Sequence, residues 1–531
     1  MKFFIQENKK IFIYFFLFLI VYVKYIFFVG LSPGDDYFHL NFVENNPSFI
    51  ENIKLNYLIS PARPISSLML GIIHPLVGNN IIIYNFISLF LWISCAFILK
   101  ETFKLLINKE FSEIFFIIFS FPYLCFSVFY GNLLWSNYIL FIFFWSISIF
   151  FQVKYYNYNN NNYKLLYYFF LIISIFTFEL IISLLIINIL LPINFKIKKK
   201  NIILNFFLIL TFSLVYFFYK FYLIPYLIGS SIYGVAEFGL KNFLQGVYFF
   251  YSVAVENFIL LIQSINFSLN YVSFIILILV IYLFFDFKIK ESINNRFILI
   301  IFVLSLISCS IIYFISGYPA ITYGHYSKTL VPAFFSFSTI ISYLFVRFKI
   351  NKWLLGIVIF LVINSTYIQI NNYAEATKIK NNLVDGLVNN INKIDIMQND
   401  IIVVNAPLFV NNNYNNEEIV FTTWDLKFRI LNITKKNFNF WLINNRLIEN
   451  KNYYPLHNFL NSKYIKSDSF DHHRVIYYEY NNGLYTFEIF LNKSDLEKKI
   501  NDLRVNKINK NNYIFREKVR LKLKKIILDI I

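Results

Sequence analysis

The chain has 531 residues, of which 58% are hydrophobic, 21% aromatic and 15% charged, with a formal net charge of +18 and a mean hydropathy of +0.57. No soluble globule carries that balance, so the composition specifies a polytopic membrane protein. The positive charge is no nucleic-acid signature, because Lys and Arg sit in short clusters between apolar runs, the pattern that orients membrane helices.

The N-terminal run "MKFFIQENKKIFIYFFLFLIVYVKYIFFVG" is too long for the apolar part of a signal peptide and lacks a small-x-small cleavage site. It reads as a retained anchor helix. Apolar runs approaching the ~20 residues needed to cross hydrocarbon predict about eleven crossings. They lie at Ile11–Val29, Asn80–Leu99, Ser112–Tyr130, Leu133–Phe151, Leu165–Phe178, Ile181–Leu191, Ile202–Leu223, Tyr271–Phe285, Phe297–Ser316, Leu330–Val346 and Trp353–Ile370. The fifth and sixth are short enough to be one long helix, which would reverse the parity of everything downstream.

Charge decides between these. With the N-terminus cytoplasmic, the clusters Lys100/Lys104/Lys109, Lys154/Lys164, Lys196–Lys200, Lys288/Lys290/Arg296 and Arg347/Lys349/Lys352 all fall on the cytoplasmic face. Merging the two short runs would split Lys154/Lys164 from Lys196–Lys200, so two short helices are expected, with Glu179 near their tip. The external face then receives the loop of about residues 30–79, a turn near Gly131, a loop from Pro225 to about Asn270, and "SGYPAITYGHYSK" (Ser316–Lys328).

Beyond about Asn371 the apolar runs shrink to strand length, as in "DIIVVNAPLFV" and "RVIYYEYNNGLYTFEIFL", the latter a hairpin through Asn481–Gly483. The expected fold is an all-α polytopic bundle, residues 1–370, followed by a small extramembrane α/β domain, 371–531. The basic tail Phe515–Ile531 suits anionic headgroups. Cys95, Cys125 and Cys309 are scattered in apolar runs and read as small hydrophobes.

The chemistry-bearing residues concentrate in the first external loop. Asp35 and Asp36 stand where the first apolar run ends; a carboxylate pair there serves as a general base, as a divalent-metal ligand pair, or merely as wet loop charge. Its closeness to the membrane edge and the presence of Arg63 in "PARP" favour a working role. His39 follows Asp36 at i+3 and Asp35 at i+4, so a helical segment would turn all three into one cleft; the bland alternative is an interfacial histidine. Glu179 is nearly alone as a carboxylate within the apolar core, and is either a helix cap or a cleft residue. "DHHR" (Asp471–Arg474) reads as a polar loop, since adjacent strand histidines face opposite ways. No GxGxxG, GxxxxGK[ST] or HExxH is present, so nucleotide-driven and zinc-protease chemistry have no footing.

A first crossing, an external loop opening on Asp-Asp, many further crossings and a C-terminal domain resemble the GT-C glycosyltransferases, which take a sugar from a polyprenyl-phosphate carrier. Within that class "GDDYFHL…SPARPISSLMLGIIH" and "FTFELIISLLIINILLPI" are most similar to the O-antigen glucosyl transferases. The resemblance implies a plasma (inner) membrane enzyme that uses a polyprenyl-phosphate-linked sugar and a glycan or lipid acceptor. Asp35 or Asp36 would then be the base, with a divalent cation such as Mg or Mn if the pair holds one. Arg63, His325 and Lys328 would lie near the donor phosphate, and His39, Glu179 and Tyr323 in the cleft. An interfacial lysine snorkelling to the membrane edge is the competing reading of Lys328. The rival functions are a lipid-linked glycan polymerase or ligase, and a non-enzymatic glycolipid flippase or transporter.

Overall fold

A computed structural model of the chain describes residues 2–30, 48–78, 80–129, 136–195, 197–228, 239–266, 271–285, 295–316, 325–393, 400–405, 423–434, 439–443, 475–481 and 484–490. It also describes residues 287, 289, 292, 293, 320, 495, 496, 498 and 499. The chain divides into two compact units, Met1–Phe27 with Asn46–Asn371, and Phe28–Asn45 with Asn372–Ile531.

The first unit is a helical membrane bundle. Eight helices among the described residues are long and apolar enough to cross a bilayer: Lys10–Phe28, Ile81–Leu106, Asn137–Tyr158, Lys199–Leu227, Asn242–Ile265, Arg296–Ile315, Ser327–Arg347 and Lys352–Ile391. Shorter apolar helices lie at Pro64–Val77, Glu179–Asn194 and Tyr271–Phe285, and a 17-residue helix spans Asn161–Thr177. Lipid offers no hydrophobic drive for helix association, so interhelical hydrogen bonds take part of that role. Trp145 Nε1 donates to Asn188 Oδ1 (2.8 Å), Gln152 and Asn188 bond each other, and Asn205 Oδ1 accepts from Tyr167 (3.1 Å). All five side chains are buried. Together they tie Ser136–Tyr158, Asn161–Thr177, Leu185–Asn194 and Lys199–Phe218 into one group.

The two ends of the bundle differ in charge. At one end Arg347 Nη1 donates to Ile293 O (2.9 Å), Lys352 Nζ to Phe285 O (2.6 Å), and Lys10 pairs with Glu113 (3.1 Å). Lys154, Lys164, Lys199, Lys200 and Arg296 stand at helix ends of the same group. The opposite end holds the turns around Arg63, Glu179 and Lys328.

Three expected elements take a different form. The run Ser112–Tyr130 is helical only within Lys109–Ser120, followed by a 3₁₀ turn at Phe126–Phe129. Phe121 precedes Pro122, which pushes it out of the helical region (φ −118°, ψ 86°). Trp353–Ile370 is the start of a 42-residue helix, Lys352–Lys393, so the change of composition near Asn371 is not a change of backbone. The expected loop Pro225–Asn270 contains a helix over Leu240–Asn266 with a π-turn at Ser252–Glu256.

That helix is apolar outside and keeps its polar residues inside, among Leu244, Phe249 and Leu260. Phe243, Phe250, Val255, Phe258, Ile262 and Ile265 are exposed, whereas Asn242, Ser252, Glu256, Asn257 and Ser264 are buried. Asn242 bonds Ile315 O, at the far end of Arg296–Ser316, and Asn364 donates to Ser264 O within Lys352–Lys393. At ~1.5 Å per residue those partners stand about 28 and 18 Å above the basic end. The helix therefore descends about 10 Å while advancing about 33 Å. It runs obliquely, and Tyr271–Phe285 completes the descent: Ser273 bonds Asn364 (2.6 Å) and Phe285 meets Lys352.

In the second unit a mixed sheet has the order β2-β1-β3-β4, with β1 Ile401–Asn405, β2 Asn439–Ile443, β3 Val475–Asn481 and β4 Leu484–Phe490. β1 pairs in parallel with β2 and β3, and β3 with β4 antiparallel, Asn481 opposite Leu484. All five β1 residues are buried, as a central parallel strand requires. Leu383, Val384 and Leu387 pack with Ile402, Val404, Leu426, Ile430 and Tyr478. The Gly30 amide donates to Thr377 Oγ1 (3.0 Å) in this unit.

Nitroxide labels at Phe243→Cys and Ile262→Cys test the oblique helix in vesicles. Their depths from one bilayer surface should differ by about 10 Å; a difference near 28 Å would mean an upright crossing.

Candidate functional site

At the less basic end, three breaks in helical backbone bring charged side chains together. The first is the turn Ser60–Arg63, closed by Arg63 N–H to Ser60 O (3.0 Å) and Ser67 Oγ to Ser60 O (3.1 Å). Pro64 starts the next helix at a position that needs no N–H, leaving Arg63 just outside it. This turn is held by close packing of its flanking helices: a Cβ on Gly71 would lie 2.6 Å from Ile53 Cα.

The second break is at Phe178. Asn161–Thr177 ends there in an extended residue (φ −162°, ψ 136°), and a 3₁₀ turn begins at Glu179. Ser66 Oγ donates to Thr177 O (3.1 Å), satisfying a helix-end carbonyl and joining the two turns. The third is a π-turn, Tyr219–Leu223, shortly before Pro225. A proline within a helix lacks its N–H and crowds the carbonyl four residues back, which favours such a local rewinding.

On this frame Arg63 grips Glu179 with Nη2 (2.9 Å) and Nε (3.2 Å), the fork geometry that suits a carboxylate. Lys220 Nζ is 3.4 Å from the same carboxylate, and Tyr216 OH 3.4 Å. Tyr219 OH donates to Pro61 O (2.9 Å) and meets Tyr57 OH (3.0 Å). The side chains of Arg63, Glu179 and Lys220 are 20%, 17% and 14% exposed. Arg63 and Lys220 thus face the same carboxylate. Two cations against one carboxylate leave the group with one net positive charge.

The Arg63 guanidinium also lies over the Phe178 ring, 4.2 Å from its centroid. Phe178 packs on Tyr138 at 4.6 Å, and Lys328 Nζ lies 5.7 Å from the Tyr138 centroid. Arg63 and Lys328 thus flank one aromatic pair. Lys328 is 1% exposed, which rules out a side chain snorkelling to the bundle surface. Its 3₁₀ turn, His325–Leu330, is pinned where Lys328 N–H donates to Ser127 Oγ (2.7 Å) and Ser327 Oγ meets the same hydroxyl (2.8 Å).

Asp35, Asp36, His39 and Tyr323 lie outside the described residues, and of His325 only the backbone turn is described. Among the described residues no group of three or more His, Cys, Asp or Glu side chains is placed to hold a metal ion. All three cysteines are buried and unpaired as thiols. Lys220, Tyr216 and Phe178 escape the sequence reading. A signal for Lys220 was available: it is a lone cation within the apolar run Ile202–Leu223, and intramembrane charge is a functional flag in itself. Tyr216, Tyr219 and Lys220 share one helix face at i, i+3 and i+4.

Thermal melts in detergent should show Glu179→Gln less stable than wild type at pH 7 by about 3 kcal/mol. Equal melts would show that the pair adds nothing to the stability of the bundle. No protein-family model matches this sequence, and no curated protein is significantly similar to it.

Proposed function

We propose that the protein is an integral membrane glycosyltransferase that moves a sugar from a polyprenyl-phosphate carrier to a cell-envelope glycan or lipid. The observation that carries this reading is the convergence of Arg63 and Lys328 on the Phe178–Tyr138 pair. Two cations beside an aromatic platform, at the edge of an apolar bundle, suit an anionic phosphate esterified to an apolar chain. In this reading the basic end faces the cytoplasm of a plasma (inner) membrane, with the N-terminus, and the Arg63 end and the C-terminal unit face outward.

Asp35 or Asp36 takes the proton of the acceptor hydroxyl as it attacks the anomeric carbon, and the carrier phosphate departs with the bonding electrons. A phosphate is already a good leaving group, so cations serve it better than an acid. The aspartate pair is also the candidate ligand set for a divalent cation such as Mg or Mn.

The test is transfer of radiolabel from polyprenyl-phosphate sugars to envelope glycans by purified wild type, Asp35→Asn and Asp36→Asn, matched for membrane insertion. Loss of at least about 100-fold in one variant is expected for a missing general base. Equal rates in all three would remove the aspartates from the mechanism. An inactive wild type with every donor would move the reading to flipping or polymerisation.

A further inference from the structure

The Arg63–Glu179 pair is complete by itself: one guanidinium, one carboxylate, and hydrogen bonds of 2.9 and 3.2 Å. Lys220 is in excess. Its ammonium shares a carboxylate that Arg63 already neutralises, and at 3.4 Å it stands beyond the ~2.7–2.9 Å of a strong charge-assisted hydrogen bond. Holding a second cation in a largely buried, lipid-flanked position is unfavourable unless something offsets it. A structural clamp has no use for it. The three side chains remain partly exposed.

We propose that Glu179 is a built-in rival anion, which keeps Arg63 and Lys220 together until a phosphoryl group displaces it, and that Lys220 is the second cation for that group. The inference rests on the reading of Arg63 as a phosphate-binding residue. Without a ligand, Glu179 prevents two cations from repelling each other. With one, the phosphoryl oxygens take over the long Lys220 contact first and compete for Arg63 next. Tyr216, at 3.4 Å from Oε2, stays with the carboxylate as it yields. The empty site is thereby stabilised at the expense of affinity for its ligand.

The two residues must then act on binding with opposite signs. Full-length protein in neutral detergent is titrated with farnesyl phosphate, with farnesol as the uncharged control and inorganic phosphate as the headgroup alone. Lys220→Gln should weaken farnesyl phosphate about tenfold, and Lys220→Arg should restore most of that. Glu179→Gln should tighten it severalfold even though the variant melts lower. If that variant does not fold, Glu179→Asp, which keeps the charge but shortens its reach, should tighten binding in the same direction. The same opposed shifts with inorganic phosphate at equal affinity support the rival-anion role and assign it to a free phosphate. Weaker binding in both the Lys220→Gln and Glu179 variants marks a structural clamp and overturns the proposal, as does binding of farnesyl phosphate no tighter than farnesol. Loss of binding in Arg63→Gln with no response at Lys220 or Glu179 overturns this inference alone. No response at any of the three removes Arg63 from phosphate binding as well.

Discussion

Hydrocarbon offers no water to a stranded polar group, and that single constraint arranges the bundle. Polar side chains face inward and find protein partners there. The group of Trp145, Gln152, Asn188, Asn205 and Tyr167 shows this at mid-bundle. Leu240–Asn266 shows it along a whole helix, with Asn242 and Asn257 bonded on the buried side and phenylalanines on the other. Such a helix carries apolar residues on both sides and keeps its polar ones inside, where a soluble amphipathic helix turns them to water.

The same constraint explains what was legible in the sequence. Uniformly apolar runs such as Phe297–Ser316 announce themselves, because hydropathy sums over every face of the helix. Leu240–Asn266 does not, since its inward polar residues dilute that sum and mimic a loop. Counting polarity by helix face would have found it: the polar positions Asn242, Gln245, Ser252, Glu256 and Ser264 follow helical spacing with one slip at the π-turn. The break at Phe121–Pro122 was readable from the proline alone. The partnership of Arg63 with Glu179 was not. Each was a candidate separately, but nothing local to either turn encodes that the two meet, because their contact depends on how four helices pack.

Cations at the two ends of the bundle are held differently. At the basic end Arg347 and Lys352 reach loop and helix-end carbonyls, which cap unsatisfied acceptors, while Lys10 pairs with Glu113. These are economical uses of charge beside headgroups. Rings flank cations at both ends, Lys10, Lys154 and Lys352 at the basic end and Arg63, Lys220 and Lys328 at the other. What sets the second end apart is that Arg63 and Lys220 share one carboxylate, Glu179, which leaves that group one net positive charge.

Backbone regularity points to the same end. Arg63 precedes a helix-initiating proline, Glu179 opens a 3₁₀ turn after an extended residue, Lys220 lies in a π-turn and Lys328 in a 3₁₀ turn. Every one of the four charges stands where the chain abandons the α-helix. Within or near a membrane such irregular backbone is tolerated only where protein buries it or a wet cavity receives it, and each departure forgoes hydrogen bonds that a straight helix would have made. A bundle built only to span would keep its breaks in the loops between helices and leave them neutral. Concentrating four charged breaks at one end, three of them tied to one another through Glu179, is a local loss of helical stability that fixes side-chain position. Positional precision of charged groups is what recognition of a small anion requires.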